Sequence, residues 1–73
     1  MRYPLQFRRF WDQRVIIEER KGTKTYVGLV CGEDPFYLYL RDVTILVDGK
    51  KTKTSELALW KGKIGELRLL PEE

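Results

Sequence analysis

Residues 28–43 read GLVCGEDPFYLYLRDV, and the order of features within them decides the fold. An apolar run closing on Cys31 gives way to Gly32-Glu33-Asp34-Pro35, a stretch that breaks a strand and turns the chain. From Phe36 the pattern alternates, with Phe36, Leu38 and Leu40 on one face and Tyr37, Tyr39 and Arg41 on the other. Past Arg41-Asp42 the apolar phase slips by one residue, to Val43, Ile45 and Val47. A bulge or sharp bend produces such a slip where a strand curls around a barrel. Gly28 weakens its own strand unless a bend or close backbone approach requires it. On this pattern Phe36 packs in the core, Tyr37 points away from it, and Cys31 is a small buried hydrophobe.

Upstream, Lys21-Gly22-Thr23-Lys24 separates the strand at 25–31 from an earlier β-branched one around Val15-Ile16-Ile17. Before that, Phe7, Phe10 and Trp11 fall at helical spacing and Pro4 suits a first helical position, so a short helix is expected over 4–12. Two turns of helix are unstable alone, so the aromatic stripe must rest on the sheet. Downstream, Asp48-Gly49 marks a tight turn within a basic loop containing Lys50, Lys51 and Lys53. A fourth strand covers 56–60, Lys61-Gly62-Lys63 turns the chain, and Leu67 and Leu69 mark the inward face of a fifth strand ended by Pro71. The expected architecture is mainly all-β: a short N-terminal helix, then a strongly bent five-stranded antiparallel small barrel over 14–71.

At 73 residues there is room for one domain, 1–73, with a thin core. The chain has no histidine and a single cysteine, which removes histidine acid–base chemistry, the usual zinc sites and an intrachain disulfide. No enzyme activity, cofactor or metal is expected. No apolar run approaches the roughly 20 residues that span a bilayer, and no signal-peptide pattern opens the sequence, so the expected location is the cytoplasm, away from membranes. Fourteen Lys and Arg against eleven Asp and Glu give a net charge of +3, a mild lean towards anionic partners.

The stretch from Gly28 to Val43 resembles the first motif of the Sm-like (Lsm/Hfq) family of RNA-binding proteins, in its archaeal form. Gly28, Gly32, Asp34, Leu38, Leu40 and Asp42 fit that motif, with a loop one residue shorter. Leu59-Trp60-Lys61-Gly62-Lys63-Ile64 resembles the family's Arg/Lys-Gly motif in the turn before the last strand. The resemblance implies a hexameric or heptameric homo-oligomeric ring that binds single-stranded, U- or A-rich RNA in RNA processing, as part of a ribonucleoprotein. It also implies a base pocket, but the family's two pocket asparagines are replaced here by Tyr37 and by Lys63-Ile64.

The residues expected to touch RNA are Tyr37 by stacking, Lys61 through the backbone, and Gly62, Lys63, Asp34 and Phe36 beside them. Asp34, before Pro35, equally serves as a turn former. Arg8, Arg9, Lys50, Lys51 and Lys53 are further phosphate candidates, weighed against plain solvation of an exposed face. Trp60, Leu67, Leu69 and Leu70 are expected at a subunit interface, because a long apolar final strand on so small a domain needs covering. The rival reading is an SH3-like barrel acting as a protein-interaction or scaffold module, with Trp60, Tyr37 and Tyr39 as contact aromatics.

Overall fold

A computed structural model describes residues 5–71. Five strands, β1 (Arg14–Glu19), β2 (Thr25–Glu33), β3 (Tyr37–Val47), β4 (Lys50–Trp60) and β5 (Ile64–Leu69), form one antiparallel sheet in the order β4-β3-β2-β1-β5. The two outer strands, β4 and β5, are joined by a single 3-10 turn at Lys61–Lys63. The bent sheet wraps a core of Val15, Ile17, Tyr26, Val30, Leu38, Leu40, Val43 and Leu59.

The bend in β3 lies where the apolar phase slips. Asp42 takes a positive φ of 50°, and the inward series passes from Leu38 and Leu40 to Val43. The β2–β3 register shifts opposite it, between Val27 and Leu29. Gly28 sits in that gap: a Cβ there would lie 3.1 Å from Val43 Cγ2 and 3.2 Å from the Arg41 carbonyl oxygen. The glycine is thus required by close approach at the bend.

Several expectations are corrected. The N-terminal helix is one 3-10 turn, Arg8–Phe10, shorter than the expected 4–12; Pro4 lies outside the described residues. No side chain caps this turn, and the following backbone bonds β2 instead of continuing a helix. The Asp12 N–H donates to the Val30 carbonyl (2.7 Å) and the Val30 N–H to the Gln13 carbonyl (3.0 Å). Phe7, Phe10 and Trp11 still pack on the core.

Cys31 is exposed, because the inward alternation Tyr26, Gly28, Val30 carries it to the outer face. Phe36 is 54% exposed and precedes β3, contrary to its expected place beside Leu38. Leu69 lies opposite fully buried Val15, yet on an outer strand it stays 48% exposed.

The segment Lys50–Lys53 is strand and not loop. Asp48 and Gly49, both at positive φ, make a two-residue turn, and β4 pairs with β3 from Val47↔Lys50 onward. The three lysines therefore occupy the first half of an outer strand, and Leu57, Ala58, Leu59 and Trp60 its second half.

Candidate functional site

The loop between β2 and β3 meets the turn between β4 and β5. Asp34 organises the loop: its Oδ1 accepts the N–H groups of Phe36 (2.8 Å) and Tyr37 (2.7 Å), and its Oδ2 accepts the Tyr39 hydroxyl. The Tyr39 hydroxyl, followed by the two N–H groups, holds the Asp34 carboxyl below its ordinary pKa. The same bond raises the Tyr39 phenol. With both oxygens engaged, Asp34 builds the loop, and this bonding also explains why Phe36 leaves the strand. The Phe36 carbonyl in turn accepts the Lys61 N–H at 2.8 Å, fastening the two loops together.

Beyond this seam Tyr37 pairs across the sheet with Trp60, 41% and 52% exposed respectively. The indole of Trp60 folds back over the turn, so that a Cβ on Gly62 would lie 2.5–2.7 Å from three of its ring carbons. Gly62 thus serves packing, letting a large aromatic lie flat on a tight turn.

Lys61 is not available as the sequence suggested. Its Nζ lies 2.5 Å from Glu33 Oε2, with the lysine side chain 10% exposed and the glutamate side chain wholly buried. Each of these atoms has the other as its only polar partner among the described residues. The second Glu33 oxygen accepts the Phe7 N–H (3.0 Å) and the Trp11 indole N–H (3.1 Å). The ring of Phe7 lies 5.6 Å from the Lys61 ammonium, a cation–π distance. Glu33 is therefore a hub tying the N-terminal segment, β2 and the β4–β5 turn together. In the sequence Glu33 is one residue of a loop, and nothing local marks a carboxylate destined for burial.

Lys63 faces the other way. With Arg20, Lys21, Gly22 and Lys24 of the β1–β2 turn, and with Glu19 and Gly62, it lines an open cleft of about 620 Å³. The Arg20 N–H donates to the Lys63 carbonyl (2.8 Å) and the Glu19 N–H to the Lys24 carbonyl (3.2 Å). Gly65 permits the first of these contacts, since a Cβ there would lie 2.7 Å from Arg20 Cα. Glu19 Oε2 accepts the buried Tyr26 hydroxyl at 2.8 Å; burial first, and then Glu19, pushes that phenol up to about 12. In the sequence Lys21 to Lys24 carry only the marks of a turn. Their one signal was repeated basic residues at two turns, which only the fold brings together.

The remaining candidates are dispersed. The guanidinium of Arg8 lies over Trp11 (5.5 Å) and that of Arg9 over Phe10 (5.0 Å), both on the exposed N-terminal segment. Lys50, Lys51 and Lys53 are exposed along the far half of β4. Leu67 packs on the core, whereas Leu70 is half-buried and its N–H donates to the Arg14 carbonyl at 2.9 Å.

No family profile matches the sequence, and no curated protein is significantly similar to it. Solved structures do match. The SmAP1 heptamer of P. aerophilum aligns with a TM-score of 0.79 at 16% identity, covering 92% of this chain and 90% of that one. The Pyrococcus abyssii Sm protein in complex with a uridine heptamer aligns with a TM-score of 0.77 at 19% identity, covering 94% of this chain and all of that one. A chain of the NatC complex bound to CoA aligns with a TM-score of 0.74 at 13% identity, covering 93% and 88%. The chain has the Sm-like fold.

Proposed function

We propose that this Sm-like chain closes into a hexameric or heptameric ring and binds single-stranded, U- or A-rich RNA without catalysing a reaction, in the cytoplasm. The observation that carries the reading is the exposed Tyr37–Trp60 pair at the seam of the two loops. Stacked bases gain roughly 1–3 kcal/mol each on such rings, whatever the sequence. The likeness to an Sm protein solved with a uridine heptamer supports the same reading. Base selection differs from the pattern the family motif implies, since no asparagine is present and Lys61 is occupied by Glu33.

Fluorescence anisotropy with oligo-U and oligo-A across a salt series tests it. Tyr37→Ala should weaken binding by the stacking increment, on the order of 5- to 150-fold. No binding by the wild-type chain at low salt would end the RNA reading. Sedimentation at micromolar concentration tests the ring, and a stable monomer would refute it.

A second reading, a subunit of a larger protein assembly, is favoured by the likeness to a NatC chain. In it, Tyr37 and Trp60 contact protein instead of bases. Retention of a protein partner by a Tyr37→Ala-sensitive contact, with no RNA affinity, would establish it.

A further inference from the structure

Four cations converge on the cleft between the β1–β2 and β4–β5 turns, and among the described residues none of Arg20, Lys21, Lys24 and Lys63 has an ion pair. The carboxylate among them, Glu19, already accepts the Tyr26 hydroxyl. The cleft therefore carries a net +3, as large as the net charge of the whole chain. Like charges lining one cleft repel one another, and an anion entering between them reduces that cost. The two turns are held in place by the Arg20–Lys63 and Glu19–Lys24 backbone bonds, so the backbone bearing these side chains is ordered before a ligand arrives.

We propose that this cleft holds the phosphodiester backbone of the bound strand through Arg20, Lys21, Lys24 and Lys63, taking the part that the sequence motif gives to Lys61. The assignment rests on the RNA-binding reading above and adds to it where the phosphates lie. Lys61 cannot serve here, because moving its ammonium to a phosphate would leave the buried Glu33 carboxylate without its counter-charge. The Arg20 guanidinium can grip two phosphate oxygens at once, while the lysines act as point charges. The cleft is open and lined from two turns, which suits a flexible strand better than an enclosed small anion.

The test compares two double variants of the full chain by anisotropy with short oligo-U from low to physiological salt. Arg20→Gln with Lys63→Gln should weaken binding roughly tenfold at low salt and lower the slope of log K against log salt by about 1.4, the share of two single-strand phosphate contacts. Arg14→Gln with Arg41→Gln removes the same charge elsewhere on the exposed surface and should leave the slope unchanged. Equal losses in both variants would reduce the effect to net charge and overturn the assignment. An unchanged slope in the Arg20/Lys63 variant, with wild-type binding intact, would also overturn it while sparing the RNA reading. A wild-type chain that binds no oligonucleotide at all overturns both. Unfolding curves that coincide for all variants exclude loss of fold as the cause.

Discussion

On one side of the β4–β5 turn, Lys61 is folded inward against a buried carboxylate and roofed by Phe7. On the other side, two residues later, Lys63 stands in an open cleft with three further cations, none of them in an ion pair among the described residues. The same residue type on one short turn serves two ends. The inward lysine completes a structural network in low dielectric, where its worth depends on its partner. The outward lysine adds to a field that reaches into solvent. Local sequence cannot distinguish them, since the difference arises from what the sheet places opposite each.

The largest expected effect comes from breaking the closed side. Glu33→Ala strands the Lys61 ammonium and removes the acceptor of the Phe7 and Trp11 N–H groups, and should cost about 3–5 kcal/mol in urea unfolding. Replacing both partners, with Glu33→Gln and Lys61→Met, should cost clearly less than the two single changes together. Full additivity would mean that the pair is not coupled.

Next in size is Gly65→Ala. Its Cβ would meet the Arg20 backbone and the Glu18 carbonyl oxygen (3.1 Å), so about 1–3 kcal/mol should be lost as the two turns are forced apart. A neutral result would show that the cleft is not held by that contact.

The third prediction concerns pH. Tyr26 has a folded pKa near 12 against an ordinary 10, so the folded state holds its proton more tightly than the unfolded state does. That contribution to stability is intact below pH 10 and is lost as pH rises towards 12. Tyr26→Phe should flatten the alkaline limb of the stability profile, and an identical limb in the variant would refute the Tyr26–Glu19 link. The smallest effect should come from Lys63→Ala, within about 0.5 kcal/mol of wild type, while Lys61→Ala destabilises measurably. Equal losses would dissolve the distinction between the two lysines.

The strands were readable because β-branched and alternating runs report burial directly, and Asp42 and Gly28 marked the bend through its phase and close approach. Phe36 was misplaced because alternation says nothing about the Asp34 carboxylate that draws its N–H out of the strand. The N-terminal helix was overestimated because helical spacing of Phe7, Phe10 and Trp11 also suits a 3-10 turn whose backbone then bonds β2. Of the site, the two loops were located, but the fate of Lys61 was not. Glu33 lies 28 residues from it in sequence, and burial of the pair exists only once the N-terminal segment closes over it.

The two-residue turn at Asp48-Gly49 also shapes the open edge of the sheet. Because it lets β4 start immediately, three lysines are laid along one half of an outer strand instead of being dispersed in a loop. Their charges guard that half of the open hydrogen-bonding edge against a foreign strand. The other half, Leu57–Trp60, has no lysine, so its backbone edge lacks that guard. The turn thereby decides which stretch of that outer strand is charged and which is apolar.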